Sequence, residues 1–489
     1  MDITLHVFDS AELWHLLPEL VLAASAFALL LFDLFFDPKQ KGITHWLAMV
    51  VLVVVGWLAI AGVGGRPADG AAVLNGMFVR DGLADLAKGV MCFVSAGVFV
   101  YALPYLRERG IYKGEVPVLM LFATLGMMLL SSAGNLVMVY VGLEMLALCS
   151  YALVAVDRDN PLATEAGMKY FVLGALASGI LLYGMSLVYG ATASLDLPAI
   201  HAAAAAGGED SQMLLAGMAF MVAGIAFKLG AAPFHMWLPD VYQGAPTPIT
   251  QFIGAAPKLA AFVMAYRLLE AGLGPVDGFW RVLVGGLAAL SLVVGNLMAL
   301  AQTNLKRMLA YSTVSHIGFL LMGLAGGGAE GQGAALFYAV VYVFTTLAAF
   351  GAIVLMSRQG FEAEEIADYR GLARRDPWMA FLILCIMASL AGVPPFIGFF
   401  AKIDVIAAAI NGGMLWLAIV GIVFAVIGAF YYLRVMKVMY FETSEGEPMT
   451  PRDNRAMRTL FAVNALLLLA LALGINPILE WCRQVFLAA

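Results

Sequence analysis

The stretch from Lys228 to Pro248, KLGAAPFHMWLPDVYQGAPTP, decides the fold. It lies at the end of an apolar run and interrupts it with Gly230, Pro233 and His235. A proline inside a helix removes a backbone hydrogen bond and breaks or kinks it. In a bilayer such an interruption is tolerated only where protein or trapped water satisfies the freed groups. The run therefore predicts a discontinuous spanning helix with a polar interior beside it. A second stretch, Ala391-Gly392-Val393-Pro394-Pro395-Phe396, has the same G-x-x-P-F pattern. Interrupted spans at corresponding places in two halves of a chain mark an ion site built on internal repeats. The prolines are also compatible with two kinked, packed helices and nothing more. Lys228 precedes its break and Lys402 follows its own, so these lysines do not match by position.

Working outward, the 489 residues are 63% hydrophobic and 12% charged, against roughly 45–50% and 25% in soluble domains. A spanning helix needs about 20 apolar residues. Such runs fall near 12–35, 43–63, 81–105, 115–133, 135–156, 163–190, 212–238, 246–271, 278–300, 305–325, 333–356, 377–410, 414–441 and 457–477. The reading is an all-α polytopic membrane protein of about fourteen spans, with spans 7 and 12 broken. It divides into a three-helix segment (1–114), a first repeat of spans 4 to 8 (115–272), a second of spans 9 to 13 (273–441) and a last span (442–489). Glu12, Glu19 and Asp33 and the lack of a basic start argue against a cleaved signal peptide. Cys92, Cys149, Cys385 and Cys482 form no C-x-x-C pair and read as small core residues. The net charge of −6 and the lack of a basic block give no reason to expect nucleic acid.

Lysine and arginine placement sets the orientation, because loops on the cytoplasmic side hold the excess of positive charge. Loops after odd-numbered spans carry seventeen such residues, from Lys39 and Lys41 to Arg455 and Arg458. Loops after even-numbered spans and the termini carry five: Arg66, Arg80, Arg267, Arg281 and Arg483. This puts the odd loops inside and both termini outside.

The remaining lysines, Lys88, Lys169, Lys228, Lys258 and Lys402, fall inside apolar runs. Each costs roughly 2.5–3.5 kcal/mol at the centre of a span on insertion scales, so retaining several needs a reason. Desolvation favours the neutral amine, which lets a buried lysine take and release a proton. Glu144, midway along its run, is the matching acid, and chains of such groups form the proton relays of pumps. The alternative is a structural ion pair or a side chain reaching back to the interface. For Lys88 that is the preferred reading, with Asp85 one turn away and Arg80 and Asp81 at the helix end. In span 10, His316 lies ten residues beyond Lys306, about 15 Å deeper at 1.5 Å per residue. A histidine there can pass a proton along the axis or sit satisfied by one hydrogen bond, and the same choice is open for His235. No dinucleotide fingerprint, P-loop or cysteine cluster is present, and no redox chemistry is expected of this chain.

Three strings carry a resemblance. They are FKLGAAPFHMWLPDVYQGAPTP from Phe227, followed by Ala256-Pro257-Lys258; GNLMALAQTNLKRMLAYSTVSHIGFLLMG from Gly295; and GVPPFIGFFAK ending at Lys402. In these the sequence resembles the antiporter-like membrane subunits of the proton-pumping NADH:quinone oxidoreductase, respiratory complex I. It is similar to subunit N rather than L or M: the length leaves no room for the lateral helix of L, and residue 402 is lysine where M has glutamate. The resemblance implies fourteen spans with two inverted five-helix repeats. It also implies a proton route through Glu144, Lys169, Lys228, Lys258, His316 and Lys402, beside which His235 is a further candidate. It implies no cofactor in this chain, with FMN and iron–sulfur clusters in other subunits. The expected partners are further antiporter-like and small membrane subunits within a bacterial cytoplasmic membrane. Asp85, Lys88 and Asp404 have no place in the family pattern. A multisubunit sodium/proton antiporter and a membrane scaffold whose charges fix helix register are the rival readings.

Overall fold

A backbone in lipid has no water to bond, so an apolar run satisfies its own amides and carbonyls by coiling into a helix. The computed structural model describes residues 10–36, 42–61, 71–207, 211–443 and 451–487. Lys39, Lys41 and Arg66, used above for orientation, lie outside them. The helices are α1 (Ser10–His15), α2 (Leu17–Asp33), α3 (Gly42–Ile60), α4 (Gly82–Glu108), α5 (Glu115–Ser131), α6 (Leu136–Val154), α7 (Pro161–Thr192) and α8 (Leu197–Ala205). Next come α9 (Gln212–Leu229), α10 (Trp237–Gly244), α11 (Thr247–Gly254), α12 (Ala256–Ala265), a π turn over Tyr266–Gly272, α13 (Asp277–Leu300), α14 (Leu305–Gly326) and α15 (Gly328–Met356). The chain ends with α16 (Leu372–Arg375), α17 (Pro377–Ala391), α18 (Ile397–Asn411), α19 (Leu415–Phe441), α20 (Arg455–Ala470) and α21 (Ile475–Leu487). A small antiparallel hairpin, β1 (Ala71–Val73) and β2 (Phe78–Arg80), precedes α4.

Among the described residues, eleven helical stretches are long and apolar enough to cross a membrane. The most apolar 18-residue windows of α14 and of Thr247–Gly272 are wholly buried, whereas those of α7 and α19 are one-third buried. The helices that carry Lys258 and His316 thus lie at the centre, whereas α7 and α19 turn apolar side chains such as Phe171, Leu176, Ile419 and Val426 outward.

Both expected interruptions are present. The first separates α9 from α10 and the second separates α17 from α18. At each, a glycine takes the left-handed conformation that ends a helix without a Cβ penalty: Gly230 has φ 84° and Gly392 φ 80°. The amide of Gly230 bonds Ala226 O at 2.9 Å and that of Ala231 the same oxygen at 2.8 Å. Gly392 and Val393 both bond Ala388 O, at 3.0 Å. Each break also contains a cis proline bond, Ala232–Pro233 in one and Pro394–Pro395 in the other.

One reading needs correction. The partner of Lys88 is Glu19 of α2, 2.6 Å away, and not Asp85. Asp85 instead pairs with Arg80 at 2.9 Å. Helical spacing brought Asp85 within sequence reach of Lys88, but a long-range contact between α2 and α4 was the one realised. Phe78 adds a ring face 4.7 Å from the Lys88 ammonium. The structural-pair reading of Lys88 stands with a different partner.

Candidate functional site

A helix end leaves its last carbonyls without amide partners and carries a partial negative charge. Each break creates such an end inside the protein, and each is met by a lysine. At the first, Lys258 of α12 donates from Nζ to Leu229 O at 2.8 Å. Its side chain, 2% exposed, also lies 5.0 Å from the ring of Trp237. At the second, Lys402 of α18 donates to Leu390 O at 2.8 Å and to Ala391 O at 2.9 Å, with Phe319 at 5.2 Å. Among the described residues, neither amine has a carboxylate within ion-pairing distance. A carboxylate would favour the ammonium alone, whereas a carbonyl accepts a hydrogen from an ammonium and a neutral amine alike. Both sites can therefore hold either protonation state.

Around the first break the charges form a series. Lys228, in the last turn of α9, is half-buried and within electrostatic reach of both Glu144 and Lys258. Glu144 Oε1 is buried without a hydrogen-bond partner among the described residues. A cavity of about 10 Å³ beside Lys228, lined by Leu143, Tyr151, Tyr170 and Ser178 among others, is about the size that admits one water.

Around the second break the links are hydroxyls. His316 of α14, 7% exposed, shares hydrogen bonds with Tyr338 OH at 2.6 Å through Nδ1 and with Tyr432 OH at 3.0 Å through Nε2. Tyr432 continues to Ser312, and one turn from His316 the hydroxyl of Tyr342 donates to Thr313 at 2.8 Å. A further cavity of about 10 Å³ is lined by His316, Tyr338, Tyr342, Ser389 and Leu390. It joins the histidine to the helix end that Lys402 caps.

Two sequence candidates sit apart from these groups. His235, between α9 and α10, is half-buried with its ring 6.2 Å from Tyr311 of α14. Lys169 faces outward: its side chain is 43% exposed and pairs with Glu165 and Asp240, each at 2.8 Å. Position along a helix says how far a residue lies from the helix end, not which way it faces, and Lys169 lies on the rim. Two groups went unrecognised. Asp240 ties Lys169 of α7 to Arg307 of α14, the latter at 2.8 Å. Lys306, counted above among the loop cations, is 2% exposed and donates to Ala245 O at 2.8 Å. The usable signal was Asn304, an N-cap whose side chain accepts from the Arg307 amide at 3.0 Å and so puts Lys306 inside the helix.

Buried lysines on the ends of broken helices, in a polytopic helical chain, define an antiporter-like membrane protein. Residues 133–428 match the family described as NADH:quinone oxidoreductase/Mrp antiporter, TM. The chain is 62% identical over 483 residues to NADH-quinone oxidoreductase subunit N of Xanthomonas euvesicatoria pv. vesicatoria (strain 85-10), covering 99% of this chain and 98% of the relative. Among solved structures, a chain of respiratory complex I from Thermus thermophilus with bound aureothin superposes with a TM-score of 0.79 at 31% identity, covering 95% of this chain and 98% of that one. A chain of the Mrp complex from Dietzia sp. DQ12-45-1b gives 0.84 at 22% identity and 97% coverage of both, a likeness of fold. The chain belongs to the family of NADH-quinone oxidoreductase subunit N.

Proposed function

We propose that this chain is a proton-translocating membrane subunit of an NADH:quinone oxidoreductase, moving protons through buried groups while quinone is reduced elsewhere in the complex. The observation that carries this reading is the pair of lysines, Lys258 and Lys402, each on the carbonyl end of a broken helix without a neutralising carboxylate among the described residues. A change in charge at Glu144 shifts the balance between Lys228 and Lys258, and a proton then passes by way of His316 to Lys402. His235 lies beside this line, and Lys169 acts from the rim by setting the charge around Asp240. FMN and iron–sulfur clusters belong to partner subunits in this reading. The immediate neighbours are further antiporter-like and small membrane subunits.

The organisation proposed with it is fourteen spans in a bacterial cytoplasmic membrane, with odd loops inside and both termini outside. Helices α5 to α12 form one repeat within 115–272, and α13 to α19 form a second, inverted one within 273–441. Two correspondences support the repeats. Each has a G-x-x-P-F break capped by a left-handed glycine. Asn135 caps α6 and bridges Asp196, as Asn304 caps α14 and bridges Glu365, the partners lying 61 positions apart in both cases.

The test is Lys258→Ala and Lys402→Ala in the intact complex, assayed in inverted membrane vesicles for NADH oxidation and acidification. Both are expected to assemble and to lose most of the acidification per complex, and wild-type acidification in both would overturn the relay. The Mrp-like fold keeps a second reading open, a subunit of a sodium/proton antiporter. It predicts sodium efflux driven by a proton gradient with no electron donor, and the 62% identity to a subunit N favours the first reading.

A further inference from the structure

Lys306 is a third buried lysine on the carbonyl end of a half-helix. The end it caps, Ala245 O, belongs to α10, while Lys306 itself comes from α14. Unlike Lys258 and Lys402, it also lines a polar cavity of about 150 Å³. At about 30 Å³ of liquid per water, that is room for a few waters. The wall is formed by three loops that follow odd-numbered spans, at 109–111, 157–160 and 362–364, together with Tyr105 and 243–246. Those loops lie on the inner side in the orientation proposed above.

The charged groups around the amine are Glu362, Glu364 and Arg109, and Asp157 also lines the cavity. Glu362 is itself held in place: Tyr105 OH donates to it at 2.9 Å, Arg109 pairs with it at 2.6 Å, and Thr247 also donates to it. Inward from Lys306, Ala245 O is shared with the Thr250 hydroxyl, which also bonds Tyr242 O at 3.0 Å. The hydroxyl of Tyr242 is buried, has no hydrogen-bond partner among the described residues, and lies beside Thr313 and Tyr342. Thr313 is one turn from His316 on α14, and the Tyr342 ring of α15 lies 5.3 Å from the His316 ring.

We propose that Lys306 is the inner-side proton-loading group for the second half of the molecule. It takes protons from the water of this cavity and delivers them along α14 toward His316. The neutral amine accepts a proton from hydronium in the cavity, leaving water and an ammonium. The ammonium then passes a proton inward, by way of water and the hydroxyls of Tyr242 and Thr313, to the neutral ring of His316, which becomes an imidazolium, and the amine is restored. Only N–H and O–H bonds change. This inference rests on the proton-relay reading given above.

The test separates a proton carrier from a helix cap. Lys306→Arg keeps a positive donor for Ala245 O, but a guanidinium does not release a proton in the working range. Lys306→Gln keeps a donor without charge. Each is measured beside Lys402→Ala in inverted vesicles, as acidification per assembled complex with NADH as donor. Removing a positioned proton-transfer group slows its step by about 10²-fold or more, so both Lys306 variants are expected to lose most of the acidification. Full acidification by either variant overturns the loading role and leaves Lys306 a cap. If Lys402→Ala acidifies normally as well, the relay reading fails with it. If Lys402→Ala alone is defective, only the present inference falls.

Discussion

The two breaks share their local chemistry and differ in how the lysine arrives. At the first, Lys258 comes from α12, a separate helix, and bonds one carbonyl. At the second, Lys402 comes from α18, the continuation of the broken helix, and bonds two. Ten residues beyond the capping glycine, where the second half has Lys402, the first half has Asp240, which faces Lys169 and Arg307. The difference teaches that what the two halves have in common is a place in space, the carbonyl end of a half-helix, and not a position in the chain. A lysine is needed there because the last carbonyls of a helix buried in apolar surroundings have no water to satisfy them.

The comparison breaks most sharply at the glycines. Both are held near φ +80°, where a Cβ costs about 1–2 kcal/mol. Gly392→Ala adds a Cβ 2.8 Å from Lys402 Cδ and 3.2 Å from its Nζ, so the lysine side chain must shift from its seat on the two carbonyls. Gly230→Ala meets Leu238 Cδ1 at 2.4 Å but Lys258 Nζ only at 3.5 Å, an ordinary contact. Gly392→Ala is therefore expected to lose most of the acidification per assembled complex. Gly230→Ala is expected to lower the amount of complex while each complex acidifies nearly as before. Equal effects on acidification would mean that the glycines matter as helix caps alone and that the seating of Lys402 does not.

Both breaks were legible in the sequence because Gly and Pro act through the backbone, whose demands are local. The burial of Lys258 and Lys402 was legible because a charge far from either end of an apolar run has nowhere else to go. What the sequence did not disclose was orientation and long-range pairing. Lys169 lies well inside its helix yet faces outward, and Lys88 found Glu19 across 69 residues instead of Asp85 one turn away. Lys306 was missed for the opposite reason. It opens a helix beside a loop, where lysines are normally solvated, and packing by segments distant in sequence, among them α10 and the 362–364 loop, covers it.

A smaller effect is expected at Asp240. Asp240→Asn keeps the shape and removes the charge, while Arg307 retains Gln243 at 3.1 Å and Lys169 retains Glu165. The groups are about a third exposed, and such pairs contribute about 0–1 kcal/mol. The variant should assemble, with acidification lowered by about fivefold or less, as expected for a loss of no more than about 1 kcal/mol at a tenfold cost of 1.4 kcal/mol. If it instead acidifies as poorly as Lys402→Ala, Asp240 and Lys402 are functional counterparts and the equivalence in space between Lys258 and Lys402 is wrong.

The smallest effect is expected at Lys169, and it separates two roles that the sequence could not. Its ammonium is shared between two carboxylates at the rim, each at 2.8 Å, so its charge is committed to holding them. Buried Lys402 has carbonyls in place of those carboxylates. Lys169→Ala leaves Asp240 with Arg307 alone and should reduce acidification slightly, by less than Asp240→Asn does. Lys169→Arg keeps the charge and can satisfy both carboxylates, so it should restore the wild-type level. The corresponding Lys402→Arg keeps a charge that cannot be exchanged, so it should not restore what Lys402→Ala loses. Failure of arginine at 169 would make that lysine a carrier in the sense proposed for Lys402, and the rim would then belong to the proposed proton route.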